Sequence, residues 1–372
     1  RMIATREIYA KCILFDYSYK YFYEDGYGKE SLILNMSGDA YEQTDNARKY
    51  FTACLLGFYQ QLWLWSTHRD KLTYFNIEKP LWVFVGNTVS GEESDILEVL
   101  KFLADFLNSD VQIKTWLEDL IADKAQILDA KGNNIFAQKF TPLMNAHVSV
   151  DALYADVLLR VFNASSRQRL KLVNIKSSKG ELALRVGDAD PFGLINIGDD
   201  AGFFGMAEEV KAFDTERDDF GGALFGTLNN KDSKLNVLIG SRKFTEGWSS
   251  WRVSTMGLLN IGQGEGSQII QLFGRGVRLT GFDWSLKRSS RCTRINVPRP
   301  ANIHWLETLQ VFGIEAEFMQ RFRDYLAAEG LPGNERQEVI EVPMHTTRNF
   351  GTRLKVLRPK RKKDNGKEYD FK

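Results

Sequence analysis

The stretch Gln271-Leu272-Phe273-Gly274-Arg275-Gly276-Val277-Arg278 sets two guanidiniums three residues apart, behind a glutamine and a glycine. On a helical turn that spacing puts both arginines on one face. A planar guanidinium fork suits phosphate oxygens better than a point-like ammonium does. Set against a transferred γ-phosphoryl group, such an arginine stabilises the charge spreading over the equatorial oxygens, by roughly 10³–10⁵ in rate. The bland alternative is a solvated basic helix face, the commoner fate of arginine pairs.

Two loops upstream add chemistry. Ser241-Arg242-Lys243-Phe244-Thr245-Glu246-Gly247-Trp248-Ser249-Ser250 follows an apolar run that ends at Gly240. It brings hydroxyls, a carboxylate and two cations to the end of a strand, where open α/β sheets bind their ligands. Gly262-Gln263-Gly264-Glu265-Gly266 then leads toward the arginines, its glycines permitting close backbone approach. Ser267 is suited to cap the helix that carries Gln268 to Phe273.

The elements that must hold these groups are legible as hydrophobic patterns. Leu81 to Thr88, closed by Gly86-Asn87, Leu235 to Gly240 and Thr255 to Gly262 are near-continuous apolar runs, as expected of strands buried on both faces of a parallel sheet. Asp95 to Leu107 has helical apolar spacing, and residues from about 42 to 68 and about 110 to 165 also read as mainly helical. Leu170–Lys176 and Glu181–Val186 alternate around Ser177-Ser178-Lys179-Gly180 and predict a hairpin. Phe192–Gly198 and residues 293–297 suggest further strands, and Trp305 to Glu329 one or two amphipathic helices. Aromatics at positions 15, 17, 19, 21 and 23 alternate like a strand. Such rings, interleaved with Lys20, are suited either to base stacking or to packing on a neighbouring domain.

Composition narrows the classes. The 372 residues, 43% hydrophobic and 26% charged with a formal net charge of +1, describe a globular chain of about two domains. Near-neutrality excludes a generic polycation, so nucleic-acid contacts must come from local patches such as Lys287, Arg288, Arg291, Arg294 and Arg299, or the basic tail around Arg358–Lys363. Cys12, Cys54 and Cys292 are odd in number and without C-x-x-C spacing, and the four histidines are scattered, so no disulfide framework or zinc site is expected. The longest apolar stretch, Phe51 to Tyr59, is far short of the about 20 residues a membrane span needs. A cytoplasmic location is expected, with no membrane partner.

The order strand, Glu-Gly-Trp loop, strand, Gly-rich loop, Gln-x-x-Gly-Arg-x-x-Arg resembles the second RecA-like lobe of superfamily 2 helicases and translocases. Within them it is most similar to the type III restriction-enzyme helicase-subunit group, which is DEAD/DEAH-like. The specific likeness covers about residues 235 to 291. It implies an α/β fold: a RecA-like parallel sheet flanked by helices, with a helical and β-hairpin insertion and a C-terminal helical extension. The expected layout is an aromatic-rich linker and helix over 1–75, the lobe over 76–300 with its insertion at about 110–190, and a helical extension with basic tail over 301–372.

The resemblance implies that Arg275 and Arg278 reach the γ-phosphate of ATP, with Gln271 positioning phosphate and attacking water. Glu246, Gly247, Ser249 and Gly274 would lie beside the nucleotide. Ser249 stands where relatives have an Asp for the ribose. Asn87, Thr88, Ser241, Arg242 and Lys243 would touch a nucleic-acid backbone, DNA being the expected partner with RNA left open. No Gly-x-x-x-x-Gly-Lys-Ser/Thr or Asp-Glu-x-His occurs in the chain, so it holds half an ATPase site. The Mg²⁺ ligands are expected in a first lobe, upstream of Arg1 or on a partner chain. A role in restriction or phage defence, beside a nuclease or methyltransferase subunit, follows from the resemblance; nuclease activity in this chain does not. The rival reading is a non-catalytic nucleic-acid-binding scaffold with a degenerate ATPase half.

Overall fold

The computed structural model describes residues 15, 17–36, 44–86, 94–129, 131–240, 248–259, 266–314, 360–362 and 368–370. In chain order its elements are α1 (Tyr19–Glu24), β1 (Glu30–Leu34), α2 (Thr44–Thr67), β2 (Leu81–Gly86), α3 (Asp95–Asn108), α4 (Asp110–Ile121) and α5 (Val150–Phe162). Then come β3 (Leu170–Ile175), β4 (Glu181–Val186), β5 (Gly193–Asn196), α6 (Asp200–Ala207), β6 (Asp214–Asp218), β7 (Val237–Gly240), β8 (Val253–Leu259), α7 (Gly266–Gly276) and β9 (Thr308–Ile314). Two short strands, β10 (Lys360–Lys362) and β11 (Glu368–Asp370), belong to a separate compact unit.

Strands β1 to β9 form one sheet in the order β1-β9-β8-β2-β7-β5-β4-β3-β6. From β1 through β5 every pairing is parallel, and β4 alone runs against its neighbours. The chain is therefore mixed α/β, with a mostly parallel sheet flanked by helices. The expected hairpin is present as β3 and β4, but it continues the main sheet rather than standing apart from it. Likewise β1 and β9 are paired inside the sheet, so the expected lobe limits at about 76 and 300 run through it.

Each face of the sheet buries its own core. One face carries Trp82, Phe84, Val237, Ile239 and Phe312 against α2, α3 and α5. Trp82 stacks on Phe84 with ring centroids 4.5 Å apart and meets Phe58 of α2 at 5.4 Å. α2 is the buried helix that its apolar run predicts. Gln61 is satisfied at both ends, as burial demands: its Nε2 donates to Trp305 O and Thr308 O, each at 3.0 Å, and its Oε1 accepts from Thr255 Oγ1 at 3.0 Å. Gln60 Nε2 donates to Lys139 O at 3.0 Å, whereas its Oε1 has no partner among the described residues. α5 starts where Ser149 Oγ accepts from Ala152 N and stops where Asn163 turns left-handed at φ 56°.

Among the described residues, the other face is covered by the α7 region and α1. Val83, Val85, Leu238, Met256, Leu258, Leu309 and Val311 pack against Leu272, Phe273 and Val277 of the α7 region, with Tyr19, Tyr23, Leu224, Phe225 and Trp248 at the margin. Among the described residues no helix is long and apolar enough to cross a membrane.

Three local expectations are corrected. The aromatic segment forms helix α1 instead of a strand, because Tyr19 and Phe22 share an inner helical face. Tyr19 meets Phe273 at 5.6 Å and Phe22 stacks on Tyr27 at 5.4 Å. Residues 293–297 form no strand. Of the stretch expected to be helical, Trp305 to Glu329, residues 315–329 lie outside the described residues; the part before them has one short helix, Ile303–Leu306, and then strand β9. β9 is inserted between β1 and β8 with both faces covered, and a strand so buried shows no alternation to distinguish it from a helix. In the separate unit, β10 pairs antiparallel with β11, which sets Lys360 opposite Asp370 and Lys362 opposite Glu368.

Candidate functional site

β8, β2 and β7 are neighbours in the sheet and parallel, so the segments leaving their C-terminal ends depart from one edge. Those segments are residues 87–93, 241–247 and 260–265. Asn87, Thr88, Ser241, Arg242, Lys243, Glu246 and Gly247 lie on them, outside the described residues. The strand order nonetheless brings together the chain positions at which these candidates begin.

α7 starts after β8 and lies along the sheet face that carries Val83, Met256 and Leu309. Eleven residues give it a length of about 16 Å. Leu272, Phe273 and Val277 are buried beneath it, whereas Gln271, Gly274 and Arg278 are exposed and Arg275 is half-buried. The polar residues of the eight-residue stretch thus face outward. Helix α7 begins at Gly266, so Ser267 falls within its first turn rather than capping it.

The two arginines differ in their surroundings. Arg275 Nη1 donates to Trp248 O at 2.9 Å, tying α7 to the segment that enters β8. Trp248 in turn packs on Phe225 at 5.6 Å, and Asn229 Nδ2 donates to Ser249 O at 3.4 Å. The structure therefore joins Arg275 to the Trp248–Ser249 segment, 27 positions away in sequence. Arg278 lies two residues past the helix end and is exposed. Their spacing predicts a shared helical face, but the helix ends at Gly276 before Arg278, and Lys29 N donates to Val277 O at 2.7 Å just past that end. Since Lys29 precedes β1, this end of α7 sits toward the entering ends of the strands, away from the edge described above.

The glycines on either side of Arg275 have opposite reasons. A Cβ on Gly276 would come 2.7 Å from Met256 Sδ and 2.8 Å from Leu309 Cδ2, so packing demands glycine. A Cβ on Gly274 would meet nothing within 4 Å. An exposed helical glycine costs up to about 1 kcal/mol relative to alanine, and nothing in the described residues requires one at 274.

Other cations turn inward. Arg288, which the sequence reading places on a phosphate-tracking surface, is only 2% exposed. It donates to Tyr23 O at 2.7 Å, Tyr27 O at 3.0 Å and Gly28 O at 3.1 Å, and sits 2.9 Å from Glu30 Oε1. It fixes the turn between α1 and β1. Sequence reasoning also passed over Arg252, which binds the carbonyls of Lys79, Leu228 and Leu235. Burial lowers its pKa to about 10. Lys29 is buried too, its Nζ donating to Val253 O, and burial pushes its pKa down to about 7. Burial likewise raises the Glu307 carboxyl to about 7, although Ser289 N and Oγ both donate to it. No sequence pattern marks a charge destined for burial. Only the three-dimensional neighbours of Arg252, Arg288 and Lys29 reveal it.

Among the described residues, no cluster of three or more His, Cys, Asp or Glu is arranged to hold a metal ion. No family model, curated protein or solved structure matches the chain.

Proposed function

We propose that this chain is the second RecA-like motor lobe of an ATP-dependent DNA helicase or translocase. The observation that carries the reading is α7 and the residues just past it: Gln271 and Gly274 exposed on the helix, Arg278 exposed beyond its end, and Arg275 tied to the carbonyl of Trp248 beside Ser249. The mostly parallel sheet supports it; the segments after β2, β7 and β8 leave from one end of that sheet, opposite the end where Arg278 lies.

The residues present suit a nucleotide's phosphates. Arg278 offers an exposed fork, and open space at Gly274 admits close approach to the backbone. Arg275 and Arg278 would bind phosphate oxygens as charge develops, and Gln271 would orient the water. Glu246, Gly247 and Ser249 would border the nucleotide. Bound ATP with Mg²⁺ would supply phosphoryl transfer to water, with the metal and the remaining phosphate contacts held by a first lobe. Asn87, Thr88, Ser241, Arg242 and Lys243 would grip a nucleic-acid backbone, mainly through phosphates. A place in restriction or phage defence, with a nuclease or methyltransferase subunit alongside, belongs to the same proposal.

One observation favours the scaffold reading: the Arg275 guanidinium already has a partner in its own chain. The test is ATP hydrolysis. The 372-residue chain alone is expected to show no nucleic-acid-stimulated turnover. Once joined to its first lobe, Arg278→Ala is expected to slow hydrolysis by roughly 10³-fold or more with nucleotide binding retained. Robust turnover by the chain alone refutes the half-site, and unchanged turnover in Arg278→Ala refutes the role of the arginine.

A further inference from the structure

The aromatic segment before β1 is divided between two tasks. Tyr19 and Phe22 pack inward. Phe15, Tyr17 and Tyr21 point outward, at 80%, 44% and 46% exposure. The outward rings form a row: Phe15 and Tyr17 lie 6.2 Å apart and nearly parallel at 9°, and Tyr17 and Tyr21 lie 6.4 Å apart at 21°. Tyr17 Oη donates to Asp25 Oδ2 at 2.6 Å, which holds the middle ring. Among the described residues nothing covers these stacked rings, and packing within the fold does not account for them.

The same place gathers positive charge. Arg288 N donates to Gly26 O, next to Asp25, and the Arg291 stem occupies the space where a Cβ on Gly26 would go. Arg291, Arg294 and Arg299 are exposed, and Asp283 is the one acidic residue between 278 and 300. Lys287 Nζ sits 4.5 Å above the Tyr27 ring. Of the nearby carboxylates, Glu30 is paired with Arg288, Asp25 accepts from the Tyr17 hydroxyl, and Glu24 is exposed on α1. Exposed aromatic rings beside the exposed Arg291 match the bases and phosphates of an unpaired strand, since any base can stack and any phosphate can pair.

We propose that the Phe15–Tyr17–Tyr21 row and Arg291 beside it form a stacking platform for single-stranded nucleic acid at the approach to β1. The proposal rests on the motor reading for its class of partner. The binding is sequence-independent: bases lie on the rings, and Arg291 and its neighbours neutralise the backbone. A protein surface docked on the same row, such as a first lobe, is the competing occupant.

The probes are fluorescent dT20 and U20, titrated against the full chain by anisotropy at several salt concentrations. Tyr17→Ala/Tyr21→Ala is expected to weaken binding about tenfold or more, and Tyr17→Phe/Tyr21→Phe to restore it, because stacking needs the ring and not the hydroxyl. Arg291→Ala is expected to lower the slope of log K against log salt by about 0.7. Urea unfolding checks that each variant remains folded. If the wild-type chain binds and the double alanine variant binds equally well, the platform is refuted while the motor reading stands. If the wild-type chain binds neither probe, the nucleic-acid partner is lost and both fall. If the alanines weaken only association with a first lobe, the row is a protein interface and the platform is wrong.

Discussion

Replacing Gly274 with alanine separates the needs of the fold from those of the site. Gly274 lies in α7, two residues before its end, exposed and with free space where a Cβ would go. Glycine in a helix interior costs about 0.8–1.0 kcal/mol relative to alanine. Near a helix end part of that is lost to fraying, so Gly274→Ala should stabilise the chain by about 0.5–1 kcal/mol. With a urea m-value of about 3 kcal/mol/M, the unfolding midpoint rises by about 0.2–0.3 M. Gly276→Ala gains the same propensity but drives its Cβ toward Met256 Sδ and Leu309 Cδ2, at 2.7 and 2.8 Å. Overpacking of this kind costs about 1–3 kcal/mol, so this variant should be at least about 1 kcal/mol less stable than Gly274→Ala. Equal midpoints for the two, or a destabilised Gly274→Ala, refute the packing argument. In the protein joined to its first lobe, Gly274→Ala should be more stable yet slower in ATP hydrolysis. Full activity would mean that the open space at 274 admits nothing.

Lys29→Met tests the buried amine. The folded chain releases the Lys29 proton near pH 7 and the unfolded chain near 10.5, so between these values the unfolded state holds more protons and stability rises with pH. The methionine variant should be more stable than wild type at pH 7 and below and should lose that rise, read from urea midpoints between pH 6 and 10; an unchanged slope refutes it. Arg252→Ala strands the carbonyls of Lys79, Leu228 and Leu235 together and should destabilise by about 3 kcal/mol or more, measured by the same unfolding curve. A loss below about 1 kcal/mol would show that these carbonyls find other donors.

Much of the architecture was legible because its signals are local. The apolar runs at β2, β7 and β8, the amphipathic pattern of α3 and the turn between β3 and β4 each declare themselves within a few residues. α1 and β9 were misread for one reason: their periodicity is set by what covers them. Tyr19 looks alternating until Phe273 is seen beneath it, and Thr308–Ile314 looks helical until β1 and β8 are found on either side.

The sequence by itself determined that a Glu-Gly-Trp loop, a glycine-rich loop and a paired-arginine stretch follow one another between buried strands, and that the chain carries no phosphate loop of its own. Only the tertiary structure decided which cations are available for chemistry. Arg278 and Arg291 are exposed, Arg275 is tied to Trp248, and Arg252 and Arg288 are buried among carbonyls. The physical reason is that a guanidinium can serve either a loop's unpaired carbonyls or a ligand's anionic oxygens. Chain segments far apart in sequence determine which of the two lies within reach.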